Sequence, residues 1–191
     1  TFGGLSLELL YAFVLEPFIY GHSMNEFTTK ECILHWSITI ITWLAVAFFL
    51  LKSAKKNLGF QLKETAVKRN AMGIISSCIL VALMMLINYL DVGKLKIIHE
   101  FQRLGVLKFV YQHLYYLAEV LLFALIIVFG QHALEKLFGK KNIPYGGIVV
   151  GLTWGIAHWF TKSSLWIGLG GVVVGFLFGA IYLFWGRNFK K

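Results

Sequence analysis

The stretch VYQHLYYLAEVLLFALIIVFG, residues 110–130, decides how this chain folds. It carries one formally charged residue, Glu119, and is otherwise dominated by aliphatic and aromatic side chains. Its length is that of a helix crossing a hydrocarbon core, about 20 residues at 1.5 Å each. A membrane β-strand would instead alternate over about 10 residues. A second stretch, YGGIVVGLTWGIAHWF (145–160), has the same character and holds one imidazole, His158. An ionisable group at that depth costs about 2.5–3.5 kcal/mol on insertion scales unless it faces a partner or a wet cavity. Glu119 and His158 are therefore the first candidates for function.

The rest of the chain agrees with these two runs. Of its 191 residues 58% are hydrophobic and only 14% charged, and the mean hydropathy is +0.73. Soluble domains carry about 25% charged residues. The composition predicts an all-α, polytopic transmembrane bundle forming one integral membrane domain over residues 1–191. Six spans are expected, at about 3–20, 33–51, 71–90, 110–130, 144–161 and 165–185. The first is the weakest, because it contains Glu8, Glu16 and Pro17. These acids, with the lack of a basic leader, argue against a signal peptide.

The net charge is +9. Basic residues concentrate in segment 52–70, in segment 131–142 and in the C-terminal tail with Arg187, Lys190 and Lys191. Alternation of six spans puts all three on one side. The positive-inside rule makes that side cytoplasmic, with both chain ends there. The charge thus serves topology and anionic headgroups. Nucleic acid is not expected as a partner, since no basic stripe interleaves with exposed aromatics in a soluble module. Segment 91–109 reads as an interfacial helix.

The fifth and sixth spans repeat glycine every fourth residue, as Gly147, Gly151 and Gly155 and then Gly171, Gly175 and Gly179. Small residues at this spacing let helix backbones approach closely in lipid. The short link Lys162-Ser163-Ser164 makes the two an antiparallel hairpin. Cys32 and Cys78 are expected to be free, buried thiols. No CxxC, phosphate loop or GxSxG occurs, and His99-Glu100 lacks the second histidine of a zinc protease motif. Neither a metal nor a cofactor is expected. His22, His35, His99, His113 and His132 fall near span ends, where imidazole is common.

Depth along the helices places Glu119 about 15 Å and His158 about 21 Å from the cytoplasmic side. The offset of about 6 Å permits the two to meet if their helices are neighbours. Such a pair can hold and deprotonate a water, or simply fix helix register. Trp154 shares the face of His158, Tyr115 and Tyr116 stand one turn from Glu119, and Glu8 and Glu16 share a face with Ala12. Tyr115, Tyr116, Trp154, Glu8 and Glu16 are the expected substrate or partner pocket.

Residues from about 115 to 187 resemble the CAAX prenyl protease and bacteriocin-processing family of intramembrane proteases. That family has a Glu-Glu-x-x-x-Arg motif, to which AEVLLFA corresponds, with Glu119 as the first Glu. Its Phe-x-x-x-His motif corresponds to Trp154 and His158 in GLTWGIAHWF, and a Gly-rich span follows in both. LGFQLKE after the second span adds a weaker likeness. Val120 and Ala124 stand at the second Glu and the Arg, and a last His-x-x-x-Asn motif is not in the sequence. The resemblance implies Glu119 as base and His158 in water or oxyanion binding if the chain is an enzyme. With the departures it implies a degenerate homologue in the cell membrane that binds a peptide or another membrane protein. An active endopeptidase completed by a further helix, and an accessory subunit of a membrane transport complex, are the other readings.

Overall fold

The computed structural model describes residues 2–58, 71–162 and 165–187. Lys63, Lys68 and Arg69, most of LGFQLKE, the Ser163-Ser164 link and the Lys190-Lys191 end lie outside the described residues, as do the side chains of Asn88 and Asp91. Every regular element among the described residues is helical. We label the helical stretches α1 (2–20), α2 (Thr29–Leu58), α3 (Ala71–Val92), α4 (Lys96–Phe138), α5 (145–162) and α6 (Leu165–Phe184). Three of them are long and apolar enough to cross a membrane: α2 over Thr29–Lys56, α4 and α6. In α3 the apolar run is shorter, Ala71–Leu86. Both α1 and α5 contain a π-helical turn, at Tyr11–Leu15 and Gly151–Gly155.

Each irregularity has a local cause. Pro17 has no N–H, and its ring crowds the carbonyl four residues back. The wide π turn just before Glu16–Tyr20 accommodates this, and Gly21 then ends the helix at φ 76°. In α4 the break is Gly105, at φ 71° and ψ 170°. Residues on its two sides meet: Phe101 lies edge-on to Phe109 with centroids 5.3 Å apart, and Tyr116 donates to Glu100 at 3.0 Å. Sixteen residues of straight helix would span about 24 Å, so the chain turns back on itself at Gly105. Of the segment 91–109 expected as an interfacial helix, residues 96–104 form the folded-back start of α4 and those after Gly105 continue it.

The chain divides into two compact units. One comprises the chain up to Leu58 together with Met85–Leu122; the other takes the described residues of 71–84 and those from Phe123 onward. In the first unit a stripe of α2 at every fourth residue, His35, Thr39, Trp43 and Ala47, is buried to within 3%. Trp43 packs with Ala118 and Leu122, lies 5.0 Å from the Tyr115 ring and donates to the Gly4 carbonyl at 2.8 Å.

In the second unit α5 lies directly on α6. A methyl added at Gly147 would sit 2.6 Å from the Gly175 carbonyl oxygen, and one at Gly155 would sit 2.6 Å from the Gly171 carbonyl carbon. Gly151 and Gly179 are equally confined. The α4–α5 turn is clasped by Gln131, which is buried. Its amide donates to Glu135 and to the Ile143 carbonyl and accepts from the Gly146 N–H. Arg187 closes the clasp through Glu135 at 2.8 Å and the Lys141 carbonyl at 2.6 Å. Cys32 and Cys78 are both free, but neither is buried as expected: Cys32 is partly exposed and Cys78 exposed, and Ser77, beside Cys78, is the residue turned toward Trp185.

Candidate functional site

Four polar residues of the first unit, Glu16, His35, Thr39 and Glu100, are buried in its interior. Glu8, half-buried on α1, accepts from the Tyr115 hydroxyl at 2.5 Å. About two turns further along the same face, Glu16 meets His35 of α2 at 2.7 Å, and both are almost wholly buried. The carboxylate can only accept when ionised, so Nδ1–H of His35 is the donor. Glu8 lies within electrostatic reach of Glu16 and Glu119, and both tyrosines within reach of Glu119. Ala12, between the two acids on α1, is buried, so the face shared by Glu8 and Glu16 points inward.

Glu8 and Tyr115 are therefore bonded, with Glu16 and Glu119 within electrostatic reach of Glu8. Tyr116 is only partly in this set, because its hydroxyl is committed to the buried Glu100, which also faces Lys96 at 3.8 Å.

Two participants were not singled out from the sequence. Six residues into α2, His35 was expected at an interface; the structure buries it to 1%. The signal was the four-residue repeat His35, Thr39, Trp43, Ala47 on one helical face. Glu100 was missed because the reversal at Gly105 that carries it to Tyr116 is not visible in periodicity.

His158 lies in the second unit. Its Nδ1–H donates to the Trp154 carbonyl at 2.9 Å, which leaves the lone pair on Nε2 of the neutral ring. The Trp154 ring packs on the imidazole, 4.1 Å between centroids. Phe123 lies edge-on to Trp154 and to Phe178, each at 5.3 Å. The contact of Trp154 with His158 follows directly from their spacing by one turn, whereas Phe123 comes from α4 and Phe178 from α6. Glu119 belongs to the first unit and His158 to the second, and each is described within its own surroundings. Among the described residues no group of three His, Cys, Asp or Glu is placed to hold a metal ion.

Comparison of the chain with family profiles, with curated proteins and with solved structures finds no match.

Proposed function

We propose that this chain is a multi-pass protein of the cell membrane, kin to the CAAX prenyl protease and bacteriocin-processing family, that binds a peptide or another membrane protein without cutting it. The observation that carries this reading is the state of the positions beside Glu119. Val120 and Ala124 stand where the family's motif has a second glutamate and an arginine, and the Val120 side chain is 63% exposed. Glu119 therefore has neither the motif's second glutamate nor its arginine within the run AEVLLFA. Its neighbours in the first unit are Glu8 and the two tyrosines.

A binding role uses what remains. The wall of Trp154 and Phe123 offers apolar and aromatic contact, and His158 offers one hydrogen-bond acceptor to a backbone N–H or hydroxyl. The second reading, endopeptidase action with Glu119 as base and His158 binding water, is favoured only by that fixed imidazole tautomer.

The test is the full chain reconstituted in liposomes and incubated with lipidated and unlipidated peptides, with products read by mass spectrometry. No turnover is expected above that of a Glu119→Gln/His158→Ala double variant. Turnover in the unmodified chain that both Glu119→Gln and His158→Ala abolish would overturn the binding reading and establish the catalytic one.

A further inference from the structure

Four buried side-chain atoms among the described residues have no hydrogen-bond partner: Oε1 of Glu16, Nε2 of His35, Oγ1 of Thr39 and Oε1 of Gln112. Such an atom costs about 1–3 kcal/mol when left unsatisfied, so a native fold that keeps several together has a reason for them. Three of the four belong to one place. Glu16 and His35 share their 2.7 Å bond, and Thr39 lies one turn beyond His35 on the same face of α2. All three residues are at least nine-tenths buried.

Thr39 is the most informative. Ser37, Ser76, Ser77 and Thr153 each donate to the carbonyl four residues back, at 2.7–2.8 Å. This is the usual refuge of a helical hydroxyl in apolar surroundings. Thr39 does not take it, so its hydroxyl is directed at something else. The bond to Glu16 likewise uses only one edge of each partner. Helix register needs no more than that bond, and a purely structural pair gives the free Oε1, Nε2 and Oγ1 no role.

The three free atoms specify a guest. Oε1 of Glu16 accepts, Oγ1 of Thr39 both donates and accepts, and Nε2 of His35 accepts when neutral and donates when protonated. A small molecule that donates and accepts satisfies all three, and that molecule is water. One carboxylate and one imidazole are too few for a dedicated transition-metal centre.

We propose that Glu16, His35 and Thr39 form a hydrated proton-binding site in the first unit. Water held by the Thr39 hydroxyl bridges to the free edges of the dyad, and the dyad takes up and releases one proton. On uptake, hydronium gives its proton to Nε2 of His35 and leaves as water. The product is an imidazolium whose Nδ1–H still faces the Glu16 carboxylate. Release returns that proton from Nε2 to water.

The surroundings suit this exchange. The dyad is about 8 Å along α1 and about 10 Å along α2 from the turn at 21–28, and the Phe27 ring of that turn lies 6.5 Å from the His35 ring. The titratable and charged groups around the dyad are Glu8 and Tyr20 on α1, His22 in the turn, Glu31 and Cys32 on α2, and Lys108 on α4. Glu31 is already held by Thr28 and His22, which leaves Glu16 as the carboxylate that faces His35. The site uses neither Glu119 nor His158, so its failure would leave the proposed binding function standing.

The experiment is nitrogen NMR of the full chain in lipid with labelled histidine, the His35 signal being assigned by its loss in His35→Gln. In the unmodified chain the His35 ring is expected to titrate, and magnetisation is expected to pass from water to its Nε2. Glu16→Gln should remove the carboxylate partner of His35 Nδ1 and cut the water transfer at least about twofold. Thr39→Val keeps the side-chain shape and should cut the water transfer at least about twofold. If Glu16→Gln does not fold, the unmodified chain and Thr39→Val carry the test. A folded chain whose His35 neither titrates nor receives magnetisation from water would overturn the proposal and leave a structural hydrogen bond.

Discussion

Adjacent in sequence, Tyr115 and Tyr116 bond two different carboxylates, Glu8 and Glu100. Consecutive helical side chains diverge by about 100°, so such a pair can serve two neighbours at once. Replacing Tyr115 by Phe removes the hydroxyl donor from Glu8 while keeping the ring against Trp43. The expected cost is about 1–3 kcal/mol, measured as a lower unfolding midpoint of the full chain in detergent; an unchanged midpoint would mean that Glu8 draws nothing from this bond. At this scale the sequence was legible where an ionisable group interrupts an apolar run, which is why Glu119, His158, Glu8 and Glu16 stood out. It was less legible for His35. An imidazole near a helix start has the same local context whether it meets headgroups or a carboxylate on another helix. Only the four-residue stripe with Thr39, Trp43 and Ala47 separated the two cases. The contact between Glu119 and His158 rested on the assumption that their helices are neighbours, and no local feature of either run tests that.

Among the helices, the contact of α5 with α6 was the most legible. Glycine at every fourth position of an apolar helix marks a face on which a second backbone can lie close. The confinement of Gly147, Gly151, Gly155, Gly171, Gly175 and Gly179 supplies the physical detail. A matched pair of variants measures it. A methyl at Gly175 would lie 2.7 Å from the Gly151 nitrogen, where the backbone cannot yield, whereas one at Gly170 meets nothing within 4 Å. Gly175→Ala is expected to destabilise the full chain by about 1–3 kcal/mol through overpacking. Gly170→Ala is expected to be neutral or to gain up to about 1 kcal/mol from better helix propensity. Equal effects in a thermal unfolding series would deny the close packing of the two backbones. The reversal at Gly105 was illegible for the opposite reason. A lone glycine in a mixed polar segment signals nothing until residues far along the chain, here Glu100 and Tyr116, are seen to meet.

For the whole molecule, the six apolar stretches, all of them helical where described, and the distribution of lysine and arginine lead to one topological expectation. Reporters fused to either chain end should both read the cytoplasmic side, and a reporter inserted near Lys94 the opposite side. Ends on opposite sides would require an odd number of crossings and would exclude the six-span reading. The interleaving of the two units has a further consequence, for the order of events during synthesis. Residues 71–84 leave the ribosome before 85–122, yet their partners in the second unit begin only at Phe123. Until then this stretch is a guest without a host. The newborn chain must hold that stretch aside for at least the time needed to make the 38 residues from Met85 to Leu122.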